Sequence, residues 1–261
     1  MKKVLSLILA ALMALSCMVF LASCEKNEGS DLEYVKKKGK LVVGITEFKP
    51  MDYRDSNDKW IGFDADAASA FAAWLGVDVE FIVIDWDSKE LELDTKNIDC
   101  IWNGMTISDN VKAAMDVSNP YFNNAQVVIV PANKKDQFNT VEACKALTFA
   151  VEKGSTGADA AVANGFNITE VGDQATALQE AAAGTSDAAV IDFLMAITTV
   201  GEGTDYAQLT YTCSLSTEEY GVGFRKGSDL VAKLNEFFSE KSADLRAIAD
   251  TYRIGEYLII K

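Results

Sequence analysis

The stretch IDCIWNGMTISDN, residues 98–110, changes its structural character twice. Ile98, Cys100 and Ile101 form an apolar, largely β-branched run that stops at Trp102-Asn103-Gly104. Thr106, Ser108 and Asp109 then offer helix caps ahead of VKAAM. A strand that ends in a tip and restarts as a capped helix is a βα unit, and similar units recur on both sides of it. Upstream, GKLVVGITEF (39–48) reads as a strand whose following loop carries Phe48, Pro50, Met51 and Tyr53. Asp64 can cap a helix in which Phe63, Ala67, Ala70, Phe71 and Trp74 recur at helical spacing as core, with Gly76 as its stop. VDVEFIVIDW (77–86) is a further strand, followed by a polar helical stretch from Ser88 to Thr95. Strands alternating with helices predict a largely parallel α/β sheet, whose sites lie beyond the carboxyl ends of the strands. Phe48, Trp86 and Trp102 to Thr106 all fall at such ends, which makes the tip a candidate binding ledge.

Downstream, NNAQVVIVPANK (123–134) is a strand ending at a proline, and Lys134 to Thr140 reads as a crossing between lobes. A second βα series follows, with KALTFAVEKGSTGADAAVANG (145–165) and ATALQEAAAGTSDAAVIDFLMAITTV (175–200). EEYGVGFRKGS (218–228) is a strand that can return the chain to the first lobe. Leu230, Leu234, Phe237, Leu245, Ile248 and Tyr252 are spaced like two amphipathic helices. The expected organisation is two α/β lobes: residues 39–130 with 217–261, and an inserted lobe of residues 131–216. About 230 residues beyond the N-terminal segment suffice for two cores.

That segment opens with Met1-Lys2-Lys3 and an apolar run to Leu21, a basic region followed by a hydrophobic one, as in a secretory leader. It ends in LASC, which resembles a bacterial lipobox, so residues 1–23 read as a lipoprotein signal peptide. Cys24 is then the lipid-bearing first residue, and residues 24–38 a tether. The folded part is expected outside the cytoplasm, anchored to the membrane by lipid. A net charge of −15 argues against nucleic acid, whose binding needs clustered Lys and Arg. Beyond Cys17 and Cys24 the cysteines are Cys100, Cys144 and Cys213, without a CxxC spacing, and pairing of Cys144 with Cys213 is left open. The chain contains no histidine, which removes Ser-His-Asp and Cys-His nucleophiles and histidine-ligated metals. No cofactor or metal is expected.

The acid pairs Asp85/Asp87 and Asp64/Asp66 read as caps or solvated groups. GSTG at 154–157 lacks a phosphate-loop signature, but it presents N–H groups and hydroxyls at a helix start, which suits an anionic group. Asp192, between AAVI and FLMA, either caps the next helix or faces a cleft and pairs with a cation.

In order, LVVGITEFKPMDY, GFDADAASAFAAWLGV, VIDW, IDCIWNGMTIS, MDVSNPY, KGSTGADAA, DAAVIDF and EEYGVGFRKGSDL resemble bacterial extracellular solute-binding proteins of family 3, the polar amino-acid type that feeds ABC importers. The resemblance runs from about Lys40 to Tyr252 and implies a two-lobed, type II periplasmic-binding-protein fold. Its lobes are joined by two β-crossings and close on a ligand by a hinge. It implies that Phe48 and Trp86 enclose the ligand side chain and that Gly104 and Thr106 form the ledge, with Trp102 and Asn103 beside them. Lys153, Thr156 and Gly157 are implied to act from the second lobe, and Asp192 to pair with the ligand's ammonium. It further implies a monomer that delivers an amino acid or small amine to a membrane permease. One position departs: where the pattern implies an arginine that grips a carboxylate, this chain has Val111, and Lys112 is rotated about 100° away. Either the ligand lacks a normally held carboxylate, with Phe48, Trp86 and Trp102 as cation-π surface, or Lys153 or the GSTG amides hold that group. The alternative functions are a dehydratase acting on prephenate-like substrates on the same fold, and a ligand-sensing domain.

Overall fold

Strand β1 (Lys40–Ile45) is buried at every position from Leu41 on. The continuous apolar run follows from its place inside a sheet covered on both faces. The computed structural model describes residues 30–260. The expected leader, Cys24 and the first part of the tether, to residue 29, lie outside the described residues. The C-terminal part of that expected tether is α1 (Asp31–Lys38), with Val35 fully buried and Asp31 paired with Arg225 at 3.0 Å. Acids in its first turn and lysines in its last suit the helix dipole, and the folded unit therefore begins at Asp31.

After β1, the short hairpin β2 (Tyr53–Arg54) and β3 (Trp60–Ile61) leads into α2 (Phe63–Leu75) and β4 (Asp78–Val83). Gly62, not Asp64, occupies the N-cap of α2; Asp64 sits in the first turn and turns inward. Phe63, Ala67 and Phe71 are core as expected, and Gly76 ends the helix at φ 80°. Next come α3 (Lys89–Asp94), β5 (Cys100–Ile101), α4 (Asp109–Ala114) and β6 (Asp116–Val117). Ser108 is the cap of α4, its hydroxyl accepting from Val111 N at 3.2 Å. Parallel pairing of β4, β1 and β5 forms the heart of the first sheet.

The chain crosses in β7 (Phe122–Pro131), not in residues 134–140. Gln126 to Ile129 of this strand already pair with the second sheet. That sheet is completed by α5 (Val141–Cys144), β8 (Thr148–Glu152), α6 (Thr156–Ala163), β9 (Asn167–Val171), α7 (Gln174–Ala183), β10 (Ala188–Asp192), α8 (Phe193–Thr199) and β11 (Leu209–Tyr220), in the strand order β11-β7-β10-β8-β9. β11 is the return crossing and reaches Tyr220, past the expected boundary at Ser216. The two crossings are hydrogen-bonded to each other along most of their length, which is why neither ends where a proline or a serine suggests.

β12 (Gly223–Phe224) then enters the first sheet antiparallel, between β5 and β6. α9 (Leu230–Glu240) and α10 (Ser242–Thr251) bury Leu230, Leu234, Phe237 and Leu245 against α2. Phe71, Trp102, Tyr121, Phe237 and Phe238 meet there with ring centroids 5.3–6.4 Å apart. Burying each such ring contributes about 1.5–3 kcal/mol. The rear of the Trp102–Thr106 tip is therefore fixed by core packing. Cys144 and Cys213 are free thiols whose sulfurs lie 3.8 Å apart. Among the described residues no helix is long and apolar enough to cross a membrane, and no group of His, Cys, Asp and Glu is placed to hold a metal.

Candidate ligand-binding site

The carboxyl ends of β5, β8 and β10 and the middle of β7 converge on a cavity with an empty volume of about 300 Å³. From the first-sheet side Trp86, Asn103, Gly104 and Thr106 line it; from the second-sheet side Gln126, Glu152, Ser155, Thr156, Gln174 and Asp192 do.

The ledge is held from behind. Asn103 accepts a short hydrogen bond from Thr46 N at the end of β1 and donates to Thr46 Oγ1 at 3.2 Å. Gly104 adopts φ +57°, and a Cβ there would lie 2.2 Å from Phe48 Cε1, so the position admits only hydrogen. Its N–H donates to Asp64 Oδ2 at 2.6 Å. Trp102 Nε1 and Tyr121 Oη donate to the same carboxylate at 3.1 and 2.9 Å. Burial pushes Asp64 up to about 7 against the pull of these donors. The adjacent Asp52 is also fully buried and has no donor at all. Burial first, then Asp64, push it well above the usual range.

Asp192 occupies the N-cap position of α8 but makes no side-chain cap bond. Its Oδ1 accepts from Asn124 at 2.9 Å and, in a short contact, from Gln126, while Oδ2 accepts from Gln174 at 2.9 Å. Asp192 thus makes no cap bond and lines the cavity. Burial and the neighbouring Glu218 push its carboxyl well above the ordinary range. Ser155 caps α6 by accepting from Ala158 N at 3.1 Å, which places Thr156 at the cavity wall.

Four expected contacts are placed elsewhere. Phe48 is 2% exposed and packs edge-on against Tyr220, behind Gly104. Trp102 is fully buried and spends its indole N–H on Asp64. Phe48 is drawn into the core by a tight turn, with Met51 N and Asp52 N bonding to Phe48 O, and Trp102 by its packing on Phe71, Tyr121 and Phe238. Lys153 is half exposed and pairs with Asp87 at 2.8 Å, on the outside of the cleft. Gly157 stands just behind the wall, where a Cβ would meet Gln126 Oε1 at 2.7 Å. Val111 packs with Ile101, Met105 and Met115 and borders an adjoining cavity that shares Trp86, Thr106 and Thr156.

Gln126, Glu152 and Gln174 were missed. Each had a signal: Asn124 and Gln126 alternate on one face of a strand that is apolar from Val127 on, and Glu152 and Gln174 stand where a strand ends and a helix begins. Glu152 is 3% exposed, and its Oε1 has no hydrogen-bond partner. Burial first, then Asp192 and Asp173, push it to about 8. Across the cleft mouth, Lys89 Nζ donates to Gly154 O at 3.2 Å and, with the Lys153–Asp87 pair, ties the two sides together.

Residues 41–255 match the family model for bacterial extracellular solute-binding proteins, family 3. The L-cystine-binding protein TcyJ of Escherichia coli K12 is 28% identical over 93% of this chain and 94% of its own. The arginine-binding extracellular protein ArtP of Bacillus subtilis is 29% identical over 98% of this chain and all of its own. The crystal structure of AncCDT-1, an ancestral amino acid-binding protein and precursor of cyclohexadienyl dehydratase, superposes with a TM-score of 0.78. It is 30% identical and covers 85% of this chain and 99% of that one. With its two sheets joined by two crossing strands and a polar cavity between them, this chain belongs to the bacterial extracellular solute-binding proteins, family 3.

Proposed function

We propose that this chain is the substrate-binding component of an ABC importer, which captures an amino acid or related small amine between its lobes and delivers it to a membrane permease. The observation that carries this reading is Asp192, a buried carboxylate in a cavity built from both sheets. Three side-chain amides orient it, so it is preorganised to receive an ammonium group. Trp86, Asn103, Gly104, Thr106 and Thr156 are the other contacts that this reading assigns from the sequence-derived set. The family match supports delivery to a permease, and the relatives' names support an amino acid as cargo.

The reading includes a lipid on Cys24, a short tether to Asp31, and a monomer on the outer face of the membrane. Hinge motion is assigned to β7 and β11, where the chain passes between the lobes expected at 39–130 with 217–261 and at 131–216. The protein is read as a binder, not an enzyme. A prephenate-like substrate carries two carboxylates and would face Glu152 and Asp192 in a cavity lined by no lysine or arginine.

A thermal-shift screen of refolded, ligand-free protein against amino acids and decarboxylated amines tests this reading, because a ligand that binds only the folded state raises the melting temperature. A shift that disappears in Asp192→Ala is expected. No shift with any amino acid or amine refutes it.

A further inference from the structure

We infer that the site takes a ligand with two cationic nitrogens, one received by Asp192 and the other by Glu152. This rests on the reading of the cavity as the ligand site and names the class of ligand it accepts. Glu152 and Asp192 are both 3% exposed and line the same space. A carboxylate offers about four lone-pair sites. The three donors to Asp192 leave one open on Oδ2, and Glu152 Oε1 has none of its own filled. A third acceptor joins them. Gln126 Oε1 is buried without a partner, its Nε2 being committed to Asp192 and to Glu218 at 2.8 Å.

The cavity is thus lined by open acceptors of negative or partial negative charge. The nearby lysines spend their hydrogen bonds elsewhere, although Lys89 acts on Glu152 through its charge. Lys89 donates to Trp86 O and Gly154 O at 3.1 and 3.2 Å, Lys153 pairs with Asp87, and neither lines the cavity. A buried acceptor left unmet is costly, and a cationic nitrogen on the ligand supplies the donor that Glu152 Oε1 lacks. A single ammonium at Asp192 would leave Glu152 and Gln126 Oε1 unmet. A second cationic nitrogen meets both.

Two chemical sources share this feature: an amino acid with a basic side chain and a diamine without a carboxylate. Isothermal titration of ligand-free protein with lysine and with 1,5-diaminopentane, against their one-nitrogen counterparts norleucine and pentylamine, tests the inference and separates the sources. Each two-nitrogen compound is expected to bind at least tenfold more tightly than its counterpart. The ratio of lysine to norleucine affinity is expected to fall at least tenfold in Glu152→Gln. Tighter binding of lysine than of the diamine assigns a basic amino acid, and the reverse assigns a diamine; both keep the second nitrogen at Glu152. The inference is overturned if norleucine and pentylamine match the dications in the wild-type protein, or if the ratio is unchanged in the variant. Silence from all four compounds and from every other amino acid would instead remove the binding function itself.

Discussion

Replacing Gly104 by alanine tests whether the ledge is shaped by the packing behind it. The added Cβ would lie 2.2 Å from Phe48 Cε1, 3.1 Å from Cδ1 and 3.2 Å from Tyr220 Cε2. Carbon atoms settle about 3.5–4.0 Å apart, so the Phe48 ring would have to withdraw by more than about 1 Å. It has little room, because it is 2% exposed and its centroid is 6.4 Å from that of the fully buried Tyr220. Overpacking of this kind costs about 1–3 kcal/mol. Holding a residue with a Cβ in the left-handed region adds about 1–2 kcal/mol. Together the two effects predict a loss of about 2–5 kcal/mol, a large part of a typical domain's stability of about 5–15 kcal/mol. Urea denaturation with linear extrapolation measures it, in the wild-type background and in Phe48→Leu, whose smaller side chain vacates the space. The loss from Gly104→Ala should shrink by about 1 kcal/mol or more in the second background, as for residues in contact. A loss below about 1 kcal/mol in the first, or an equal loss in both, would refute the packing argument.

Asp64, at about 7, and Glu152, at about 8, start from 3.8 and 4.5 in the unfolded chain. Each holds its proton in the folded state after the unfolded chain has lost it, so ligand-free protein loses stability as pH rises from about 4 to about 8. The groups facing Glu152 are Asp192, Asp173, Gln174 and Lys89, and those facing Asp64 are Asp52, Trp102, Tyr121 and the Gly104 N–H. At about 1.4 kcal/mol per unit the fall amounts to several kcal/mol, seen as a higher urea midpoint at pH 5 than at pH 8.5. A flat or rising profile contradicts it. Val111→Arg would place a two-pronged cation beside Trp86 and Thr106, and should raise affinity for lysine relative to 1,5-diaminopentane by about tenfold or more, since a bond to a charged group contributes about 1.5–3 kcal/mol. An unchanged ratio would show that the ligand's carboxylate, if it has one, does not approach residue 111. Oxidised glutathione should join Cys144 to Cys213, whose sulfurs are 3.8 Å apart, and leave the fully buried Cys100 as a thiol. Closing a loop of roughly 70 residues adds about 4 kcal/mol, and peptide mapping that recovers all three thiols would exclude the link.

What the sequence determined by itself was local or periodic. The Ser108 cap, the Gly76 stop and the strand-then-helix order depend on neighbours within a few residues, so they can be read from IDCIWNGMTISDN and its counterparts. Strand ends pointed to Trp86, Gly104 and Thr106 as neighbours, the resemblance added Thr156 and Asp192, and all five line one cavity. Tertiary structure decided which side chains at those ends reach the cavity. Phe48 and Trp102 fell at the right positions, yet the core took both rings because burying so much apolar surface outweighs lining a polar space. Glu152 drew no reading from the sequence, and only the folded chain brings it to the same cavity as Asp192. Whether a carboxylate caps a helix, waits in water or lies open to a ligand depends on desolvation and on partners far away in sequence. Asp192 gathers its donors from residues 124, 126 and 174, and only the folded chain brings them to it.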